Sequence, residues 1–353
     1  MIFVSGAGGF IGGRTVEILL TQRGYSHVRA GVRGWASAAR VARYRGEIVK
    51  ADLLNEEELS SALRNMSYVI HCAYGSDGAT VDGTRNLLQA ALDANIKKFI
   101  HLSTISVYQN PQGTIDESYP VGTTNNDYGD SKFEAEQLCW EYSKKGLPIV
   151  ILRLPIVYGP FSRNWTIHIS EMLLQRKLGK IEGFGEGKCN LLFVDDAVDA
   201  IVHCIESDKG NNMVFNVNGP EVISWNEYFE MFNDALGLPP LERVQQRNAR
   251  IKAVVGESIR VVGRYVQKHH MGLVKFLAAH SQSLDKLLRT TERHLRSTPA
   301  LSELKLYDKE AIYSSERLKT VLGFSAGTPI RKGVAISSAW LKEQGVFWYE
   351  ETP

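Results

Sequence analysis

The sequence of 353 residues lacks features that mark several large classes of protein. It has no uninterrupted apolar run of about 18 residues, the length that crosses a bilayer. Its start has no basic segment followed by an apolar one, the pattern of a secretory signal. The formal net charge is only +2, which gives the chain no general affinity for nucleic acid. We therefore expect a cytoplasmic protein that binds no nucleic acid.

Cysteine is also scarce in this chain. The four cysteines, Cys72, Cys139, Cys189 and Cys204, lie far apart and have no spacing typical of metal ligands. Most of them stand in apolar segments, which is typical of buried thiols in a reducing compartment. The histidines near residues 270 and 280 are not spaced as a metal site either. We therefore expect no metal.

The first 160 residues alternate regularly between short apolar runs and helix-length segments. Such alternation is typical of βαβ units, which build a parallel sheet with helices on both faces. We predict an α/β fold: a Rossmann-type doubly wound parallel sheet in residues 1–160, then a smaller C-terminal substrate-binding subdomain in 161–353. Residues of about 190–217 are expected to return to the first domain. The predicted strands are 2–4, 27–32, 47–50, 68–72, 98–102, 148–152, 191–194 and 213–217.

The pattern is less regular after residue 160. Ser224 is a predicted N-cap for a helix over 225–236, and a last helix is predicted over 329–344. Between them lies a basic helical insertion at about 240–300, where residues 252–296 carry nine lysines and arginines and three acidic residues. Three interpretations stay open for it: a solvated packing face, a site for an anionic substrate or partner, and weak contact with an anionic membrane surface.

A glycine-rich turn follows the first predicted strand. Gly6, Gly9 and Gly12 stand three residues apart, and a helical pattern begins directly after them. In a dinucleotide-binding turn the first glycine permits the bend, the second admits the diphosphate, and the third lets the helix pack on its strand. The diphosphate then rests on the helix N-terminus. The order of strand, turn and helix therefore predicts a dinucleotide site.

A second motif places a phenol and an ammonium four residues apart. Tyr128 and Lys132 would share one face of a helix. A cation beside a phenol favours phenolate, and so brings a tyrosine pKa of about 10 toward the working range of a general base. Ser103 and Thr104 end an apolar strand upstream and offer hydroxyls for a carbonyl or carbinol oxygen. We predict a proton relay of a strand-end hydroxyl, from Ser103 or Thr104, with Tyr128 and Lys132.

Together these motifs resemble an extended short-chain dehydrogenase/reductase, also called the NAD-dependent epimerase/dehydratase family. The resemblance covers roughly residues 1–240 and includes the segments 81–88, 102–108, 152–160 and 193–196. It implies that Tyr128 is the general acid/base and that Lys132 lowers its pKa and holds the nicotinamide ribose. It also implies that Thr104 is the catalytic hydroxyl of the relay. The residues expected to bind the cofactor are Gly6, Gly9, Phe10, Ile11, Gly12, Arg33, Asp52, Leu53, Cys72, Ala73, Tyr74, Ser103, Tyr128, Lys132, Pro155 and Val157.

The end of the second predicted strand bears on the choice of cofactor. Members that prefer NAD usually carry an acid there, which binds the ribose 2′-hydroxyl. This chain has Arg33 instead, followed by Arg40 and Arg43. A guanidinium suits a 2′-phosphate by charge and bidentate geometry. The sequence therefore favours NADP over NAD, while an Arg33 that is solvated or stacked on adenine would leave NAD as the cofactor.

Departures from the family pattern bear on the substrate. Ile156 and Cys189 stand where nucleotide-sugar enzymes resembling this chain often carry an asparagine and an arginine. Ile105 and Ser106 replace the acids of a sugar dehydratase. We therefore expect hydride transfer between nicotinamide and a secondary alcohol or ketone of a sugar-like or other polar carbonyl substrate.

Two alternative functions stay open. One is a nucleotide-sugar epimerase with tightly bound NAD, which returns the hydride to its own substrate. The other is a non-catalytic dinucleotide-sensing protein, although such proteins usually lose the tyrosine or the lysine. A homodimer through helices near 79–95 and 128–145 is a further hypothesis, because it is common among the enzymes that the chain resembles.

Overall fold

The computed structural model describes residues 1–124, 126–247, 250, 251, 253, 254 and 301–345. These residues form two compact units. The first unit comprises Met1–Thr166, Asn190–Val222 and the described part of Ala311–Pro353. The second comprises Ile167–Cys189 and the described part of Ile223–Glu310. The chain thus leaves the first unit and returns to it twice.

The strands and helices that follow are those of the described part of the chain. The strands are β1 (Ile2–Ser5), β2 (Val28–Val32), β3 (Glu47–Lys50), β4 (Tyr68–His71), β5 (Lys98–Thr104), β6 (Gly113–Ile115), β7 (Ile149–Leu154), β8 (Ile156–Tyr158), β9 (Lys180–Ile181), β10 (Lys188–Phe193), β11 (Met213–Asn216), β12 (Val222–Ser224), β13 (Arg243–Val244) and β14 (Ala311–Tyr313). The helices are α1 (Phe10–Thr21), α2 (Glu56–Leu63), α3 (Asp77–Asp93), α4 (Asp127–Lys144), α5 (His168–Leu174), α6 (Val194–Glu206), α7 (Trp225–Leu236), α8 (Leu301–Tyr307), α9 (Glu316–Leu322) and α10 (Ile330–Glu343).

A seven-stranded sheet in the order β11-β7-β5-β4-β1-β2-β3 forms the centre of the first unit. Every neighbouring pair in it runs parallel. The order reverses between β1 and β4, which is where ligands bind in open parallel sheets, beyond the carboxyl ends of the strands. The structure therefore confirms the predicted Rossmann-type doubly wound fold.

The sheet is covered on both faces because successive strand residues point to opposite sides. Phe3 packs in a cluster with Leu63 of α2 and Leu87 of α3. The next residue, Val4, packs in a second cluster with Leu19 of α1 and Val198 of α6. Two apolar layers thus hold helices on both faces and fix the strand ends between them.

In the second unit, α7 begins as predicted. The side chain of Ser224 accepts a hydrogen bond from the backbone of Glu227, whose side chain in turn accepts from the backbone of Ser224. This reciprocal capping box satisfies two otherwise unpaired donors. The helix ends at Gly237, whose φ of 75° is left-handed and costs glycine little. Local sequence alone therefore defines both ends of α7.

The last part of the chain completes the first unit. β14 pairs in parallel with β6, residue Ala311 opposite Gly113. The side chain of Asn190, buried at 4% exposure, donates to the carbonyl of Ala311 at 2.8 Å. α9 and α10 follow, and α10 lies within the helix predicted over 329–344.

The structure differs from the predicted elements in a few places. β5 and β7 each continue two residues beyond the prediction, to Thr104 and Leu154. Val194, predicted to end a strand, instead opens α6, whose first turn carries Asp195 and Asp196; acids at that end favour a helix. The basic segment 252–296 lies outside the described residues, apart from 253 and 254. Among the described helices, none has the length and apolar character to span a bilayer.

Candidate active site

The glycine turn joins β1 to α1 in the manner predicted. Gly6 has a φ of 66°, and a Cβ on it would lie 2.7 Å from the Cα of Ala73. A Cβ on Gly12 would lie 2.4 Å from the carbonyl oxygen of Gly6. The Gly9 amide donates to that same oxygen at 2.9 Å. Only glycine fits at the first and third positions, since any side chain there would collide with backbone.

The N-terminus of α1 is electrostatically suited to an anion. Gly9 is its N-cap, no side chain caps it, and its first turn carries no acidic residue. The unpaired amides and the helix dipole therefore give this end a partial positive charge. Phe10 and Ile11, the first two residues of the helix, are half-buried and pack against the apolar layer below.

Arg40 lies against the glycine turn. Its Nη1 donates to the carbonyl of Gly9 at 2.8 Å, and its guanidinium carbon stands 4.2 Å from the ring centre of Phe161. Its Nε and Nη2 atoms are buried and make no hydrogen bond to any described residue. Burial lowers the pKa of Arg40 to about 10. Arg33, directly after β2, is exposed. Of the two arginines, Arg40 is therefore the one in contact with the turn.

Asp52 and Leu53 follow β3, and their side chains have local roles. The Asp52 carboxylate accepts from the Leu54 amide at 3.1 Å, an Asx-type turn. Leu53 packs closely over Gly83: a Cβ added to Gly83 would lie 2.7 Å from the Cβ of Leu53. The backbone carbonyl of Leu53 accepts a hydrogen bond from the Asn86 side chain at 3.0 Å. Both residues are thus held in place by α3 and by the turn itself.

The loop after β4 links the glycine turn to the phenol. Ala73 lies against Gly6, and the Tyr74 ring meets the Tyr128 ring edge-on with centroids 5.1 Å apart. Cys72 is half-buried, and burial raises the pKa of its thiol to about 12. A thiol in that state is a packing group and not a nucleophile.

The structure places Thr104 beside Tyr128. Thr104 is the last residue of β5; its hydroxyl donates to the Ser106 hydroxyl at 3.3 Å, and its side chain also interacts with the Tyr128 phenol. Tyr128 and Lys132 stand one turn apart on α4. Lys132 is 5% exposed, and its Nζ donates to the carbonyl of Leu102 at 2.9 Å. Tyr128 is 38% exposed, so one side of the relay is accessible.

The electrostatics of this trio differ from the expectation. Burial raises the pKa of Tyr128 above its usual value, and the hydrogen bond with Thr104 only partly opposes this. Burial also lowers the pKa of Lys132, to about 8. The predicted lowering of the phenol pKa by Lys132 is therefore not what this arrangement shows. The reason is that the ammonium is directed at the Leu102 carbonyl, and desolvation dominates around the phenol.

The other predicted residues have different surroundings. The hydroxyl of Ser103 donates to Glu136 at 2.5 Å and is thus committed to the interior. Val157 is 7% exposed and packs in the core. Pro155 stands half-buried between β7 and β8. The structure does not bring the side chains of Ser103 and Val157 to the relay.

Two features escaped sequence reasoning. In the sequence, Arg40 is one of several arginines after the second strand, and no local pattern predicts its contact with Gly9, which lies 31 residues away. The buried pair of Glu136 and Arg153, joined through two hydrogen bonds of 3.0 and 2.7 Å, gave no signal beyond the spacing of four between Lys132 and Glu136.

The comparisons with known proteins agree with the fold and with these motifs. Residues 2–218 match the model of the NAD dependent epimerase/dehydratase family. The chain belongs to this family. It is accordingly an enzyme of the short-chain dehydrogenase/reductase type, as the resemblance of its motifs implied.

Curated proteins similar to this chain have different activities. UDP-glucose 4-epimerase of Vibrio cholerae is 29% identical over 259 residues, which cover 67% of this chain and 76% of that protein. Cinnamoyl-CoA reductase 1 of Petunia hybrida is 34% identical over 203 residues, covering 50% of this chain and 60% of that protein. Membership of the family thus leaves the reaction open.

A solved structure of a family member shows the same fold. UDP-glucuronic acid 4-epimerase from Bacillus cereus, in complex with NAD, matches with a TM-score of 0.70 and 21% identity. The match covers 97% of this chain and 99% of that chain. At this level of identity the likeness establishes the architecture alone.

Proposed function

We propose that this family member is an NADP(H)-dependent oxidoreductase that interconverts a secondary alcohol and a ketone of a polar substrate, with Tyr128 as general acid/base. The proposal is carried by the side-chain interaction of Thr104 with Tyr128 at the carboxyl end of β5, with Lys132 one turn further along α4. The loop that holds Ala73 and Tyr74 links this trio to the glycine turn. Relay and cofactor cradle are thus adjacent.

The residues present fit a dinucleotide. Gly6 and Gly12 leave the turn without side chains, and the N-terminus of α1 is free of acidic groups, so a diphosphate would be held there by backbone amides. Lys132 would hold the nicotinamide ribose. A bound nicotinamide supplies or accepts the hydride.

The chain's own residues would move the proton. Because burial keeps the pKa of Tyr128 above its usual value, its phenol is protonated at neutral pH. It is therefore ready to donate a proton to a ketone oxygen as that oxygen becomes a carbinol. The Thr104 hydroxyl is positioned to hydrogen-bond the same oxygen and to steady the phenolate that remains. A protonated Tyr128 is the form that ketone reduction requires at the start of the step.

Arg40 supports the choice of NADP(H). Two of its guanidinium nitrogens are buried without a partner among the described residues, beside the carbonyl of Gly9. A desolvated guanidinium with free donors is stabilised by a phosphate, with which it forms paired, charge-assisted hydrogen bonds. Arg33, exposed after β2, adds a second positive charge in the same stretch. We propose Arg40 and Arg33 as the ligands of a 2′-phosphate.

A nucleotide-sugar epimerase with retained NAD is the second candidate. It is favoured by the similarity to the Vibrio cholerae UDP-glucose 4-epimerase, which extends over 67% of this chain. Against it, Ile156 offers no hydrogen bond to a diphosphate, and Cys189 is fully buried. Both residues stand where nucleotide-sugar enzymes often have polar anchors, so the reductase remains the first choice.

The experiment that tests the proposal begins with protein purified without added nucleotide. The protein is denatured, any released dinucleotide is identified by mass spectrometry, and a second sample is titrated with NADPH and NADH. We expect an empty protein that binds NADPH more tightly. Tightly retained NAD would contradict the exchange of NADPH and support the epimerase.

The role of Tyr128 is tested by substitution. Tyr128→Phe should reduce turnover of carbonyl compounds by about 10²–10⁴-fold while NADPH binding persists. Tyr25→Phe is the matched control, since that phenol hydrogen-bonds Glu206 at 3.1 Å and is remote in sequence from the relay. Undiminished turnover in Tyr128→Phe would rule out the proposed acid/base.

A further inference from the structure

Beneath the relay, α4 carries a buried carboxylate that the proposed chemistry does not use. Glu136 is fully buried and follows Lys132 by four residues and Tyr128 by eight, so the three share one face of the helix. Its Oε1 accepts from the Ser103 hydroxyl at 2.5 Å and from the Arg153 Nε at 3.0 Å. Its Oε2 accepts from the Arg153 Nη2 at 2.7 Å.

This carboxylate ties α4 to two neighbouring strands. Ser103 in β5 and Arg153 in β7 are direct partners in the parallel ladder. Thr104 is the next residue after Ser103 on β5. The contact between Glu136 and Ser103 therefore fixes the helix immediately beside the hydroxyl that meets Tyr128.

Arg153 is itself held from its other side. Its Nη1 donates to the Tyr108 hydroxyl at 3.0 Å, and that hydroxyl donates to the Asn216 side chain at 2.7 Å. The backbone amide of Asn216 donates to the Glu117 carboxylate at 2.8 Å, and that carboxylate forms an ion pair with Arg317 at 3.3 Å. Because this chain of contacts runs to α9, Arg153 offers the helix a fixed anchor.

Burying an ion pair is a poor way to gain stability, because desolvation offsets the attraction and an apolar pair is often as stable. A bidentate pair does, however, impose one geometry. A slip of α4 by one residue, about 1.5 Å along its axis, would break every bond to Glu136. The Glu136–Arg153 pair is therefore suited to fixing the register of α4 against the neighbouring strands.

We propose that Glu136 is a positioning residue: through Ser103 and Arg153 it fixes α4 against β5, and so sets where Tyr128 and Lys132 stand relative to Thr104. This role rests on the proposed function only in naming Tyr128 as the acid/base. The coupling itself is a property of the fold and is measurable without a substrate.

The test uses Ser103→Ala, which removes one bond and leaves the Glu136–Arg153 pair intact, together with Glu136→Gln. Ser337→Ala is the matched control: that serine is fully buried and its hydroxyl donates to Gly333 within α10. In each protein the ¹³Cζ NMR signal of Tyr128, assigned by its loss in Tyr128→Phe, is followed as the pH is raised. NADPH affinity is measured in parallel.

We expect the Tyr128 titration to move up by about half a pH unit or more in Ser103→Ala and Glu136→Gln, because the Thr104 hydrogen bond that favours the phenolate weakens. Tyr74, whose ring meets the Tyr128 ring edge-on, and Thr104 are the groups that act on the phenol, and both are unchanged in the two variants. Ser103→Thr retains the hydroxyl and should restore the wild-type titration. Ser337→Ala should leave both the titration and the NADPH affinity unchanged.

A Tyr128 titration identical to wild type in folded Ser103→Ala would overturn the positioning role, and this variant carries the test even where Glu136→Gln does not fold. A shift of the same size in Ser337→Ala would overturn it too, because the loss of any buried hydroxyl would then change the Tyr128 titration. Failure of the proposed function is seen separately, as undiminished turnover in Tyr128→Phe.

Discussion

Two buried cations lie near each other in this protein under opposite electrostatic conditions. Lys132, 5% exposed, donates to the Leu102 carbonyl, and burial lowers its pKa to about 8. Arg153, 3% exposed, loses hydration as well, but the hydrogen bonds and charge of Glu136 outweigh that loss and raise its pKa. The core gives its cation a matched carboxylate, whereas the candidate site holds a cation whose charge is destabilised.

The comparison separates what stabilises the fold from what serves chemistry. A buried ammonium with a carbonyl as its acceptor costs folding free energy, and proteins keep such groups where function needs them. Substitutions at the two positions should therefore move stability in opposite directions.

The largest effect is expected when Arg153 loses its partner. Glu136→Leu leaves a buried guanidinium without its carboxylate and should lower the free energy of unfolding by about 3–5 kcal/mol. Urea denaturation at pH 7 measures this loss. Replacing both residues, Glu136→Leu with Arg153→Met, is the control and should recover most of the stability. A single variant as stable as wild type would break the comparison.

Removing the other cation should have the opposite effect on stability. The free energy of unfolding of Lys132→Met should equal that of the wild type or exceed it by up to about 1–3 kcal/mol, because the cost of burying the ammonium disappears. Turnover should nevertheless fall by about 10²–10⁴-fold. Lys98→Met is the matched control, because Lys98 is 1% exposed but donates to the carbonyls of Cys204 and Ser207 and pairs with Asp208. That control should lose stability.

The pH dependence of stability tests the same buried ammonium, through the comparison of Lys132→Met with the wild type. Lys132 has a pKa of about 8 when folded, and an unfolded lysine has one near 10.4. Between these values the unfolded chain binds more protons, so stability contributed at this position rises as the pH rises from about 8 to about 10. The advantage of Lys132→Met over wild type should therefore shrink across that range. An advantage that stays constant from pH 7 to pH 10 would argue against a destabilised ammonium.

The smallest effect is expected for an ion pair with similar geometry but more exposure. Arg14 binds Asp195 through two hydrogen bonds of 2.7 and 2.8 Å, with side chains 23% and 32% exposed. Asp195→Asn should cost about 0.2–1 kcal/mol, and less at high salt, because water and ions screen the pair. Thermal unfolding at two salt concentrations measures it. A loss as large as that of Glu136→Leu would show that geometry matters more than burial.

Features encoded by neighbouring residues were predictable from the sequence. The strands of the parallel sheet, the glycine turn and the capped helix after Ser224 depend on residues a few positions apart. Tyr128 and Lys132 belong to this class, because a spacing of four places them on one helix face.

Features that depend on tertiary approach were not predictable. Arg40 reaches Gly9 across 31 residues, and Glu136 meets Ser103 across 33. The raised pKa of Tyr128 belongs to the same class, because desolvation of the phenol depends on packing from several elements. The sequence separation of the partners, more than their chemistry, limited which contacts could be predicted from the sequence.

The pairing of β6 with β14 has a consequence for how the chain is made. Gly113 leaves the ribosome about 200 residues before its ladder partner Ala311. β6 and β14 form a two-stranded sheet of their own, so β6 stays unpaired until residue 311 has been synthesised, whereas the seven-stranded sheet contains neither strand. A fragment that stops after Val222 would resemble a complete Rossmann domain in sequence, yet it would lack both β14 and the carbonyl that satisfies Asn190. The pairing of β6 with β14 thus comes late in synthesis because of the topology.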